Sequence, residues 1–344
     1  MQGQDLYLTS IGAYLPPVFS TERAVAEGLV KPDWVADGQL TGVRVAGDEP
    51  APEMAVRAVR QLFERSGDEP AAVDLIIYAS VWHQGPDGWG PQSYVQRAIG
   101  GDALAVELRH GCTGGFSAMQ LASGYLRGNP AHTSALIVGA ENFGTAMIDR
   151  WSTTGQGMLV GDGASAVLLS KNRGFAKLLW ADSIAVPELE EMHRSGEPLF
   201  PPGATTGRQL DFSDRNRLFL QSGGMEKMRP LLAKAHHELY LSWTGATGLS
   251  IDDVTYFGYM NTSLEVIEKR LLPLIGLPPE RTTWEIGRDI GHLGISDQLV
   301  ALDRLLADGS LKPGDHYLMN GLGPGMTVAG ALVEILDVPG WVAR

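Results

Sequence analysis

Cysteine is all but missing from this chain: Cys112 is the only one in 344 residues, which excludes a disulfide framework. Basic residues are also in short supply, 27 Lys and Arg against 40 Asp and Glu, a formal net charge of −13. That balance argues against nucleic acid, whose binding needs a basic footprint. No apolar run reaches membrane-spanning length; candidates such as 135–140 fit a strand. The N-terminus, residues 1–5, has neither the basic region nor the apolar core of a signal peptide, so the expectation is a cytoplasmic protein without a membrane partner. What is present, 44% hydrophobic residues, 19% charged residues and 43 glycines, describes a soluble globular chain long enough for two core-bearing halves.

The lone cysteine sits in Glu107-Leu-Arg-His-Gly-Cys-Thr-Gly-Gly-Phe116. Residues 103–108 are short and apolar, as in a buried strand. Phe116, Met119, Leu121, Ala122 and Leu126 then recur at helical spacing, and Gly128 closes the run. Cys112 therefore falls on a strand-to-helix turn, where unpaired N–H groups and the helix dipole favour a thiolate. Gly111, Gly114 and Gly115 permit a tight turn and close approach of another group. A buried structural cysteine is the alternative, but the glycine frame and the helix-start position point to a nucleophile.

Along the chain, 5–16 suggests an opening strand and turn, 31–47 a polar loop carrying Trp34, and 51–66 a helix ended by Gly67, with Met54, Ala55, Val59, Leu62 and Phe63 on one face. The runs 73–79 and 135–141 have the composition of central strands. A polar loop through Asp149-Arg150 leads to Gly161-Asp-Gly-Ala164 and the apolar 163–169. Residues 171–210, with Pro187, Pro198, Pro201 and Pro202, suggest a loop-rich insertion between halves or a lid over a pocket. A helix is expected over about 224–242, and then 254–260, 316–320 and 328–336 echo the strands of the first half. The pattern implies a divergent duplication: residues 1–170 carry the cysteine, 171–210 form the insertion and 211–344 make the second half, each half a mostly parallel sheet with helices between strands.

Gly111-Cys112-Thr113-Gly114, Val138-Gly139-Ala140-Glu141, Asp149-Arg150 and Gly161-Asp162-Gly163-Ala164, with the Gly291…Gly294 and Gly321…Gly325…Ala329 segments, resemble the β-ketoacyl-acyl-carrier-protein synthase III family over nearly the whole chain. The resemblance implies an α/β, thiolase-like αβαβα five-layer fold of two duplicated halves. It also implies a homodimer, no cofactor, and a cysteine acylated by the phosphopantetheine thioester of CoA or an acyl carrier protein. Trp34 and Arg150 match residues lining the family's CoA entrance, and Cys112 with Gly325 would supply the backbone oxyanion donors. Pro324, inside what is a glycine triplet in the family, has no N–H to give.

The departures from the family carry the functional expectation. Its His-Gln-Ala-Asn motif stands here as Met260-Asn261-Thr262-Ser263, so the family's catalytic histidine is replaced by Met260. Its catalytic asparagine falls on His292. The synthases use both side chains to donate hydrogen bonds to the thioester oxygen of a malonyl donor, and a thioether donates none. What remains is Cys112, His292 and, five residues on, Asp297. Asp297 either fixes the imidazole tautomer or serves only as an acid on a helix's first turn. Such a set resembles a subgroup of synthase-III-like acyltransferases and starter-unit enzymes of antibiotic and polyketide pathways. It implies acyl transfer from acyl-Cys112 to a hydroxyl or amine that His292 deprotonates. The alternatives are a starter-unit condensing enzyme and a non-catalytic partner subunit. His193, in the insertion, stands either as a solvated loop residue or as part of an acyl or acceptor pocket. No metal set is expected: adjacent His236 and His237 point about 100° apart on a helix.

Overall fold

The computed structural model describes residues 4–201 and 207–342. Its strands are β1 (Tyr7–Tyr14), β2 (Val18–Ser20), β3 (Gly42–Arg44), β4 (Leu75–Ser80), β5 (Leu104–Arg109), β6 (Ser134–Glu141), β7 (Gly163–Ser170), β8 (Ala176–Ala185), β9 (Tyr256–Gly258), β10 (His316–Gly323) and β11 (Thr327–Ile335). Among the described residues, nine of these form one sheet in the order β5-β4-β6-β7-β1-β8-β11-β10-β9.

That order is a palindrome of two halves. Numbered within its own half, the first runs 3-2-4-5-1 and the second 1-5-4-2, with the two first strands, β1 and β8, meeting at Tyr7 and Leu8. The place of a third strand in the second half is taken by a single parallel bridge from Phe257 to Thr282. The sheet is mixed rather than mostly parallel. β4 runs parallel to β5 and β6, and β9 to β10, but β6–β7, β7–β1, β10–β11 and β11–β8 are antiparallel. The reason is in the connections. A parallel pair needs a helical crossover, whereas β10 turns straight into β11 through residues 324–326, and no helix lies between β6 and β7.

Alternation along the strands builds the layers. Leu75 and Ile77 of β4, with Ala135 and Ile137 of β6, face a core shared with the helices Gly114–Gly128 and Asp297–Ala307 and with Tyr317, Met319, Ala329 and Ala331 of the second half. Ile76, Tyr78, Leu136 and Val138 face the other way, onto the Ala51–Ser66 helix. On the far side Trp180, Leu318, Val328 and Leu332 pack under the Met225–Thr247 helix. The result is helix, one half of the sheet, paired helices, the other half of the sheet, helix, the five-layer arrangement expected. Each large aliphatic side chain so buried contributes about 1.5–3 kcal/mol.

Two stretches differ from the sequence reading. Within 171–210, expected as loop, β8 occupies the middle of the sheet, with Ala176, Leu178 and Trp180 buried at every second position. The alternation is there, but glycine and proline at either end disguise it. Within 31–47, expected as polar loop, Pro32–Gly38 is a helix started by its proline, and β3 pairs with β2. A small core of Val30, Leu40, Val43 and Trp151 holds them. Leu121, counted on an apolar helix face, is exposed.

Candidate active site

The duplication places two helix N-termini at one spot. The Gly114–Gly128 helix and the Asp297–Ala307 helix occupy equivalent places in the two halves, and Cys112 and Asp297 stand at their starts. Cys112 lies in the one-turn helix Gly111–Thr113 immediately after β5. Gly111 has φ +57°, and a Cβ there would come within 2.3 Å of the Pro324 ring, so the turn before the sulfur needs glycine.

His292 and Asp297 come from the loop between the bridge at Thr282 and the second helix. Val160, just ahead of β7, pins this loop with a parallel bridge to His292, and the His292 N–H donates to Leu159 O at 2.8 Å. His292 Nε2 lies 2.9 Å from Cys112 Sγ, and His292 Nδ1–H donates to Asp297 Oδ2 at 2.5 Å. Both His292 and Asp297 are buried. Burial opposes charge on the imidazole, but the Cys112 sulfur and the Asp297 carboxylate outweigh it and hold the His292 pKa well above its ordinary value.

The carboxylate has more partners than the imidazole. Asp297 Oδ2 also accepts from the Asn261 N–H (2.8 Å), and Oδ1 accepts from the Leu293 N–H (2.7 Å) and from Asn261 Nδ2 (3.1 Å). The structure therefore brings Cys112, His292 and Asp297 into one connected chain and adds Asn261, which sequence reasoning missed. Its signal was position: it is the residue after Met260 in the altered motif.

Behind the imidazole Glu141, at the end of β6, is fully buried and accepts from the Val81 N–H at 2.5 Å. Burial raises its pKa to about 8 despite opposing hydrogen bonds from the 81–84 segment and the charge on His292. Glu141 thereby fixes Val81 and Trp82, which wall the cavity in front of the sulfur.

That cavity has a volume of about 620 Å³, within the range of small-molecule sites. Its lining brings Cys112, His292, Met260, Phe143, Leu322 and Pro324 together with Met192, His193, Phe212, Ser213, Arg215 and Asn216. The Phe212 ring stacks on Trp82 at 5.9 Å between centroids, takes the His193 ring edge-on at 5.9 Å, and lies under the Arg215 guanidinium at 5.5 Å. Burial, with Arg215 nearby, pushes the His193 pKa down. The segment after β8 thus lines the cavity, and His193 belongs to its wall.

Other expected positions lie elsewhere. Arg150 forms a bidentate pair with Asp162 (3.1 and 3.0 Å) and reaches the carbonyls of Arg44 and Val160, so its guanidinium is tied into the scaffold. Trp34 packs against the small core around Val43, with Lys31 over its ring at 5.0 Å. Neither is among the cavity-lining residues. Of the turn that ends β10, Gly323 and Pro324 line the cavity and Gly325 does not. His110 is held through Nδ1, 2.7 Å from Ser117 Oγ. Among the described residues no group of three or more His, Cys, Asp or Glu side chains is placed to hold a metal ion, and no helix is long and apolar enough to cross a membrane.

Comparison with known proteins gives a consistent set of relatives. The 3-oxoacyl-[acyl-carrier-protein] synthase III family matches residues 106–183, and its C-terminal region matches residues 245–335. A β-ketoacyl-[acyl-carrier-protein] synthase III of Rhizorhabdus wittichii is 30% identical over 312 residues, covering 88% of this chain and 90% of its own. One from Clostridium perfringens is 25% identical over 340 residues, 96% of this chain and 100% of the relative. Among solved structures, the acyltransferase ChlB3 is 46% identical with a TM-score of 0.93, covering 98% of this chain and 99% of its own. The Aquifex aeolicus 3-oxoacyl-[acyl-carrier-protein] synthase III shares the fold at 21% identity and a TM-score of 0.76, over 96% and 99% of the two chains.

Proposed function

The chain belongs to the β-ketoacyl-acyl-carrier-protein synthase III family, and from that premise we propose that it moves an acyl group from a CoA or carrier-protein thioester, through acyl-Cys112, to a hydroxyl or amine of a natural-product acceptor. The observation that carries this reading is the unbroken chain from Cys112 Sγ through His292 to Asp297, with a thioether, Met260, on the same cavity wall.

The proton follows from that chain. With the imidazole charged, the Cys112 thiolate attacks the thioester carbonyl, and the departing thiolate of the donor takes the proton from His292 Nε2. Once the sulfur is acylated its negative charge is gone, and with it one of the attractions that raised the imidazole pKa. His292 is then a neutral base held in one tautomer by Asp297. It accepts the proton of the acceptor hydroxyl or amine as the oxygen or nitrogen attacks the acyl carbon. Collapse of the tetrahedral intermediate expels the Cys112 thiolate and restores the starting pair.

The condensing reading draws on the relatives named as synthases, but it needs donors on the malonyl thioester oxygen as the enolate forms, and Met260 supplies none. The ChlB3 likeness favours acyl transfer. A second copy of the chain is part of the proposal: β5 ends the sheet with Leu104 55% exposed only eight residues before the nucleophile. Intact-mass measurement with a panel of acyl thioesters tests loading of Cys112. Adding malonyl carrier protein to the loaded enzyme and measuring carbon dioxide then separates the two chemistries. Release of carbon dioxide by the native protein would overturn acyl transfer as its reaction, and its gain on Met260→His would support the account of what Met260 removes.

A further inference from the structure

The geometry points to Asn261 as the positioning residue of the Asp297–His292 pair: its amide takes over, for the carboxylate, the hydrogen-bonding duty that the preceding position has given up toward substrate. Asn261 is buried, and its two donors reach both oxygens of Asp297, N–H to Oδ2 at 2.8 Å and Nδ2 to Oδ1 at 3.1 Å. The same Nδ2 donates to Gly291 O at 2.8 Å. One carboxamide thereby spans both ends of the loop that carries His292, its first residue through a carbonyl and its last through a carboxylate.

The physical consequence is orientation. A carboxylate free to turn about its χ angles would present either oxygen to the imidazole, or neither. With Oδ1 held by Leu293 N–H and Asn261 Nδ2, Oδ2 alone is left to face His292 Nδ1. The imidazole is then locked with Nε2 toward the sulfur. The loop also ties this arrangement to substrate: Thr262 Oγ1 and the Ser263 N–H both donate to Gly157 O, at 2.6 and 2.7 Å. Gln156 and Met158, on either side of that glycine, line the cavity. A ligand pressing on this wall and the carboxylate behind the base are thus connected through three consecutive residues, 261–263.

The kinetic part of this inference rests on the acyl-transfer reading; the titration part does not. In the unacylated protein, the histidine ¹⁵N resonances follow His292 as it titrates, with Cys112, Asp297 and Glu141 as the ionisable groups that face it. Asn261→Leu removes both side-chain bonds; Asn261→Ser removes them without added bulk and serves should the first fail to fold; Asn261→Gln keeps the amide. We expect the first two, which leave Asp297 to the Leu293 and Asn261 backbone N–H groups alone, to shift the His292 pKa by more than about half a unit, and Asn261→Gln to restore most of the native value. In single-turnover measurements, acyl transfer should fall about 10- to 100-fold while the KM of the donor thioester is nearly unchanged. Folded Leu or Ser variants with native His292 titration and native transfer would overturn the proposal. Failure of the native protein to load any acyl group, with the titration shifts still present, would instead count against acyl transfer and leave Asn261 in its role.

Discussion

Cys112 and His292 lie 180 positions apart in the sequence and 2.9 Å apart in space. Each was legible for its own reason, the cysteine from its glycine frame and helix start, the histidine from its alignment with a family position. Asp297 left two readings open, and the structure satisfies both: it begins a helix and it holds the imidazole. Asn261 was not legible, because what a carboxamide touches depends on segments far away in the chain. Cys112→Ala is expected to abolish loading, read by intact mass. His292→Ala should still load but transfer about 10²–10⁴-fold more slowly, the usual weight of a general base; native transfer by that variant would remove His292 from the role. Glu141 gives a pH signature. Its folded pKa is raised, so the stability it contributes is present below the unfolded value and is lost as pH climbs toward about 8. Glu141→Gln keeps an acceptor for the Val81 N–H without that charge. Its melting temperature relative to the native protein should therefore rise between about pH 5 and about pH 9, and a flat difference would mean that Glu141 ionises freely.

Among the elements, the Ala51–Ser66 helix is the most readable, its bounds and buried face both following from 3.6-residue spacing and a C-terminal glycine. β8 is the least, since three alternating buried positions in 176–185 are too few to outweigh the flanking prolines and glycines. Gly139 in β6 shows what a glycine inside a strand can do: a Cβ there would lie 2.3 Å from Ile295 Cδ1 and 2.7 Å from Ala79 O. Ile295 sits between His292 and Asp297, so the bare backbone of β6 is what lets the loop that carries His292 lie against the sheet. Gly139→Ala should cost about 1–3 kcal/mol in denaturant unfolding. Because the loop and not only the core must yield, it should also slow transfer more than loading. An unaltered unfolding midpoint would show that the contact relaxes freely.

At the scale of the molecule, the duplication explains why the site is where it is. Two equivalent helices cross the middle layer and bring Cys112 from one half to His292 and Asp297 of the other, so neither half holds the whole hydrogen-bonded chain. The same architecture leaves β5 as an open edge. Its burial differs from that of β4, β6 and β7, which are almost entirely buried: Leu104 is 55% exposed, and Glu107 and Arg109 face solvent. An edge strand of this length that exposes a leucine is a template for pairing, and it leads directly into the Cys112 turn. Pairing with a second copy through β5 would continue the sheet and fix the strand that aims the nucleophile. Light scattering should therefore give twice the chain mass of 36.9 kDa. Leu104→Lys, which places a charge on that edge without touching the cavity, should shift the protein toward monomer and lower loading of Cys112 together with it. A monomeric native protein, or a Leu104→Lys dimer with full activity, would show that β5 is aimed by its own half alone.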